Sequence, residues 1–307
     1  MTTKPADKPA DRTWLVAVAA ALWGTDGLLR LPLAEQLPAA TVVFWEHLLV
    51  VLALSPLIPG ALRALRRCSP RERLAVLVIG GGSSALATAL FTAAFKLGDP
   101  ITPLVLQKLQ PIFVLFAAFF VLGERIRLGF AWFAVPALVG AWLLAFADPL
   151  HIQVAALRAA LLAVGAAVLW AAGTVLGRYV SASLRPKEVT VLRFTVGLPV
   201  AAIIVAQQGA SYAVGWDNAL GLVLLAFVPG LFALSLYYVG LRATPAARAT
   251  LAELAFPVTA AVIGVTFLNA RLSGTQWLGL AIVIASITAL GWHEKVRGKP
   301  MVLEPAL

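Results

Sequence analysis

The sequence predicts an all-α polytopic membrane protein of about ten transmembrane helices, arranged as two inverted five-helix repeats around a central cavity. Three observations predict it. Of the 307 residues, 61% are hydrophobic and only 12% charged, and the mean hydropathy is +0.92. So little charge cannot cover a water-facing surface, and lipid removes the need. The apolar residues also fall into about ten stretches, each close to the roughly 20 residues a helix needs to cross a bilayer. Finally, landmarks of the first half recur in order in the second.

The polar start, residues 1–12, is rich in Lys, Asp and Pro and reads as a cytoplasmic tail. The first span is expected at 14–29. No small-residue cleavage site ends it, which separates it from a removable signal segment. Further spans follow at 38–58, 74–95, 100–122 and 128–146 and close a first repeat over 13–148. The second repeat, 149–293, carries spans at 155–180, 189–206, 218–241, 245–268 and 275–292, and 294–307 form a cytoplasmic tail. The breaks hold Pro, Gly and charge, as at Ser69-Pro70 and Gly98-Asp99-Pro100.

A net charge of +10 would suit a nucleic-acid partner if the basic residues shared one soluble face. They sit instead in every second loop. The second holds Arg63, Arg66, Arg67, Arg71 and Arg73, the fourth Arg125 and Arg127, the sixth Arg185 and Lys187, and the eighth Arg242 and Arg248. Short loops rich in Arg and Lys face the cytoplasm, so both termini are expected there. The expected partners are a lipid bilayer and a small molecule, not nucleic acid. Cys68 is the only cysteine, which leaves no disulfide framework and no cysteine metal site. No metal or cofactor is expected.

The run from Val105 to Pro111 (VLQKLQP) resembles that from Leu251 to Pro257 (LAELAFP). At nearly the same offset Phe95-Lys96 falls on Leu241-Arg242, Glu124-Arg125 on Ala270-Arg271, and Trp23-Gly24 on Trp170-Ala171. Five spans per copy is an odd number, so the copies run in opposite orientation. Secondary transporters commonly use such inverted repeats and place their site near mid-membrane between the halves.

Ionisable residues inside a span are costly and are therefore functional candidates. Asp26 lies late in the first span, where it either binds a substrate amine or proton or reaches the outer interface. Glu46 and His47 lie in the second; neighbours on a helix point about 100° apart, so one of the two is expected to face a cavity. His47 is either a proton relay or a bonded structural histidine. In the fourth span Gln107, Gln110, Pro111 and Val114 share one helical face, with Lys108 off it. Glu253 is the repeat counterpart of Gln107. Trp23, Trp170 and Tyr237 supply rings that can stack on a substrate. Arg193 is expected to snorkel to the cytoplasmic interface. Gly24, Gly27, Pro111, Pro229 and Pro257 are candidate hinge points.

These features resemble the drug/metabolite transporter superfamily in its EamA-type branch. The carrying residues are Trp23-Gly24, the block from Pro111 to Phe120 that ends in Leu122-Gly123-Glu124-Arg125, and the matching block from Pro257 to Phe267 with Asn269-Ala270-Arg271. The likeness covers roughly Trp14 to Trp292. The second copy lacks the Gly-Glu pair, and His47 stands where many members carry Arg. The resemblance implies ten spans, a cavity between halves, and export of small metabolites across a bacterial inner membrane, amino acids including aromatic ones foremost. Drugs, nucleobases and sugars are the alternatives within the same fold. Protons are a candidate coupling ion through Asp26, Glu46, His47 or Glu253. An intramembrane enzyme fits less well: His47, His151 and His293 lie far apart in sequence, and the chain has neither a His-x-x-x-His pair nor a Gly-x-Ser-x-Gly elbow.

Overall fold

The computed structural model describes residues 11–96, 106–107, 109–145, 148, 150, 157–267, 271–297 and 301–303. Seven of its helices are long and apolar enough to cross a bilayer: Ala39–Arg67, Pro70–Phe91, Leu157–Val180, Pro186–Gln207, Trp216–Leu241, Ala246–Phe267 and Gly274–His293. Two shorter apolar helices, Gln110–Leu122 and Leu128–Leu144, stand where the fourth and fifth spans are expected. The first span is a broken pair, Thr13–Gly24 and Asp26–Gln36. Counted in this way, ten spans are present among the described residues. The tail over 1–10 lies outside them.

Two boundaries differ from expectation. The first span continues to Gln36 and so takes in Arg30. It breaks at Thr25, whose hydroxyl and backbone N–H both donate to the carbonyl of Leu22, at 2.7 Å and 3.1 Å. That tight turn replaces one step of the regular ladder. The second span runs on to Arg67, so Arg63, Arg66 and Arg67 ride on a helix end rather than in a loop.

The packing repeats in the two halves. The first span lies against the eighth and ninth, and the sixth lies against the third and fourth. The seventh packs on the second and third, and the second on the seventh and eighth. Exchanging the halves maps each of these sets onto the other. The third and eighth spans each contain a wide, π-helical turn, Val78–Leu86 and Ala226–Phe232. Pro229 lacks the N–H that a regular turn would need, and Gly80-Gly81-Gly82 let the third span approach its neighbours closely. Lipid tails are as apolar as Leu, so spans are held by close packing more than by the hydrophobic effect. The fifth and tenth spans show this: a methyl group at Gly279 would come within 2.6 Å of the Gly140 carbonyl.

The end of the bundle that carries both termini is closed by polar contacts. Glu124, 1% exposed, accepts from the backbone N–H groups of Ala246 (2.6 Å) and Ala247 (3.0 Å). Its carboxylate thereby caps the N-terminus of the ninth span, where unpaired N–H groups and the helix dipole favour negative charge. Arg248 is buried at the same end and pairs with Asp11 at 2.6 Å. Val302–Leu303 form a short antiparallel pair with Arg125–Ile126. Glu124 and Arg248 are therefore packed into the seal, not free in loops.

Candidate functional site

Between the two halves lies a cavity of about 370 Å³. Its wall takes residues from eight spans, the first to fourth and the sixth to ninth. Of the residues expected from sequence, Trp23, Asp26, Glu46, His47, Gln107, Gln110, Trp170, Tyr237 and Glu253 all line it; Lys108 lies outside the described residues. Glu46 and His47 both line it, although adjacent helix positions diverge. Val114 does not line it and is fully buried in a small apolar cluster with Ala118 and Ala171. Among the hinge candidates, Pro111 and Pro257 lie in the wall, as does Pro229. Gly24 sits behind it, where a Cβ would come within 2.6 Å of the Thr259 side chain.

The cavity carries two groups of charge. In one, Arg30 is clasped between two carboxylates. Its Nε and Nη2 donate to Asp26 at 2.6 Å and 2.8 Å, and its Nη1 and Nη2 donate to Glu46, both at 3.0 Å. Both pairings are two-pronged, the stronger geometry for a guanidinium. Arg30 and Asp26 stay about a third exposed, at 33% and 27% of their side chains.

In the other group the charges are apart. The Glu253 carboxylate accepts from Tyr237 Oη at 2.7 Å, Thr174 Oγ1 at 3.1 Å and Gln110 Nε2 at 3.3 Å. All three donors are neutral. Arg193 donates through Nη1 to Tyr238 Oη at 3.1 Å, and its Nε is buried without a hydrogen-bond partner. Among the described residues, no acid lies within ion-pairing distance of Arg193 and no base within that distance of Glu253. Arg193 lines the cavity, which corrects the expectation that it snorkels to the membrane surface.

His47 is held at both ring nitrogens, Nδ1 by the Val43 carbonyl at 2.8 Å and Nε2 by Ser84 Oγ at 2.9 Å. A carbonyl only accepts, so Nδ1 donates, and in the neutral ring Nε2 accepts from Ser84. Its ring packs edge-on against Phe194, 5.3 Å between centroids. That is the bonded histidine of the two expected readings. The aromatic wall is ordered by ring contacts: Trp23 meets Tyr237 at 5.0 Å and Trp170 meets Phe91 at 5.1 Å. Among the described residues no three His, Cys, Asp or Glu side chains converge where a metal could bind.

Two charged wall residues escaped sequence reasoning, as did Thr174, which donates to Glu253. Arg30 fell just past the expected end of its span, although Asp26 and Arg30 are one helical turn apart, the spacing of an ion pair. Arg193 was visible but assigned to the interface. Its place in the second turn of a span starting at Pro186 puts it about 10 Å in, deep enough to have flagged it.

The model of the EamA-like transporter family matches this chain twice, over residues 13–146 and again over 157–292. The chain belongs to the EamA-like transporter family. It is a multi-pass membrane transporter for a small molecule, and the two matched segments correspond to the two halves around the cavity. It is 30% identical over 285 residues to the riboflavin transporter ImpX of Fusobacterium nucleatum subsp. nucleatum, covering 89% of this chain and 95% of that protein. It is 25% identical over 282 residues to the uncharacterized transporter YwfM of Bacillus subtilis, covering 90% and 92%. A solved crystal structure superposes with a TM-score of 0.74 at 20% identity, covering 94% of this chain and 99% of its own. That likeness shows a shared fold. The named relatives are transporters rather than enzymes.

Proposed function

We propose that this EamA-like transporter moves a planar, polar-edged metabolite across a bacterial inner membrane by alternating access, with riboflavin-like heteroaromatics as the first substrate class. The observation that carries the reading is the central cavity itself: about 370 Å³, walled by Trp23, Trp170, Tyr237 and Phe194, with hydrogen-bonding side chains at a few fixed points. Largely apolar pockets of roughly 300 Å³ or more, with a few convergent polar groups, are typical small-molecule sites. The riboflavin-transporting relative supports the substrate class.

The distribution of Arg and Lys among the loops supports a cytoplasmic position for both termini. The seal built from Glu124, Arg248 and Asp11 then lies on the cytoplasmic side, and the Asp26–Arg30–Glu46 group toward the outside. The paired π-helical turns and the prolines of the wall support bending of one half against the other. Glu253, held by neutral donors, is the group best suited to exchange a proton with the transport cycle.

A second reading has its own observation. Arg193 and Glu253 set opposite charges on one cavity, which suits the zwitterion of an aromatic amino acid. Counterflow in proteoliposomes with labelled riboflavin, tryptophan, a nucleoside and a sugar separates the readings. Exchange of riboflavin that excess lumichrome inhibits is the expected result. Exchange of tryptophan with no response to flavins would establish the second reading instead. Absence of exchange for every compound would remove the transport of this substrate range altogether.

A further inference from the structure

We propose that Arg193 selects the substrate by donating, through its planar fork, to a pair of adjacent acceptors, at least one of them oxygen, on the molecule's polar edge. The proposal rests on the cavity being the transport site and deepens that reading. It starts from the repeat. At the offset that relates Trp23 to Trp170, Arg193 is the counterpart of Glu46, and Arg30 that of Gly177. In the first half the charge of Glu46 is answered by Arg30. In the second, Gly177 has no side chain, and the ring of Tyr238 fills the place; a Cβ there would lie 3.0 Å from Tyr238 Cε1. The second half therefore carries its cation at the place of Glu46, and the place of Asp26 is taken by Gly173, so neither carboxylate that answers a guanidinium in the first half has a counterpart here.

Tyr238 does not neutralise that cation; it aims it. Its ring is fully buried, and its hydroxyl accepts one of the five guanidinium N–H bonds. The space beside the guanidinium is kept by Gly173. A Cβ at Gly173 would clash with Ser83, 2.0 Å from its Oγ, and would stand in van der Waals contact, 4.0 Å, with Arg193 Nη1, so the glycine lets these spans pack closely beside the guanidinium. A partly buried guanidinium with no acid within ion-pairing distance among the described residues is costly unless something supplies acceptors. Its fork matches two neighbouring oxygens, as in a carboxylate, in a way that an ammonium does not. The chemistry it recognises is an acceptor-rich edge. Two sources fit: the carboxylate of an aromatic amino acid, and the C4 carbonyl of a flavin-type dione together with the adjacent ring nitrogen N5.

The test uses two matched pairs, each differing in that edge: lumichrome against dimethylquinoxaline, which lacks the dione, and tryptophan against tryptamine, which lacks the carboxylate. Each compound competes against counterflow in wild-type proteoliposomes, and its affinity for purified wild-type, Arg193→Met and Arg193→Lys protein is read by calorimetry, which needs no transport by the variants. Wild type is expected to favour the oxygen-bearing member of one pair by roughly tenfold to a hundredfold, the range of a hydrogen bond to a charged group. Arg193→Met should erase that preference by lowering the affinity of the oxygen-bearing member to that of the weaker one, and Arg193→Lys should keep part of it. A melting temperature and elution profile matching wild type certify that the variants are folded. If a variant fails this check, Tyr238→Phe replaces it: it keeps the buried ring, removes the acceptor that aims the fork, and is expected to reduce the same preference. Preference that survives in the folded variants overturns the assignment of Arg193 and leaves the cavity reading intact. If no member of either pair competes with any exchanged substrate, the cavity reading fails and the assignment falls with it.

Discussion

The cavity holds two sets of charged residues at related places, and they are built differently. Around Arg30, every charge is answered by protein: Asp26 and Glu46 clasp the guanidinium from two sides. Around Glu253 and Arg193, the hydrogen-bond partners among the described residues are neutral: Tyr237, Thr174, Gln110 and Tyr238. A paired group spends its electrostatic interactions inside the fold, and its worth is read in stability. A group left with neutral partners keeps its charge available, and its worth is read in what it binds. Two copies of one ancestral plan have diverged by a few residues, with Arg30 facing Gly177 and Glu46 facing Arg193 across the repeat, and that divergence separates holding from binding.

Breaking the paired set should have the largest effect. Arg30→Gln leaves Asp26 and Glu46 facing each other without a cation. Because the pair is partly exposed, the cost is less than for a fully buried one, about 2 kcal/mol, read as a lower melting temperature in detergent. Adding Glu46→Gln should recover part of it. A double-mutant cycle with no coupling would show that the clasp contributes nothing. Glu253→Gln comes next and should behave in the opposite way. The amide keeps acceptor capacity for Tyr237 and Thr174, so melting should change by less than about 1 kcal/mol, while counterflow falls by about tenfold, equivalent to about 1.4 kcal/mol. Unchanged counterflow in a folded Glu253→Gln protein would place that carboxylate with the structural set. The smallest effect should come from the seal. Glu124→Gln retains one acceptor for the two N–H groups of the ninth span and should lower stability by about 1 kcal/mol, with substrate preference unaltered.

The spans were legible because a bilayer demands a length and an apolar composition that few other folds share, and the repeat was legible because Pro111 and Pro257 anchor matching blocks. What escaped was polar geometry. Hydropathy ends a span at the first strong charge, so Arg30 was taken for a boundary when it is the centre of an ion-pair cluster. The cost of charge in lipid pushed Arg193 toward the surface, but that cost applies to a lipid-facing side chain, not to one facing a polar cavity. Glu124 read as a loop acid because nothing local says that it caps a helix more than a hundred residues away in sequence. Glu46 and His47 diverge as helix geometry requires, one toward Arg30 and the other toward Ser84 and Phe194, and both still line the cavity.

The central claim is that the hollow between the halves is the place where substrate binds during transport. Its most direct test is thiol labelling of Gln110→Cys in a Cys68→Ala background, reconstituted in proteoliposomes and treated with a membrane-impermeant reagent. The engineered thiol should react through water. A saturating concentration of whichever compound exchanges in counterflow should slow that reaction by about tenfold, as expected for a site largely occupied by ligand. A thiol that never reacts in the folded protein, or that reacts at the same rate whether or not an exchanged substrate fills the site, would contradict the account.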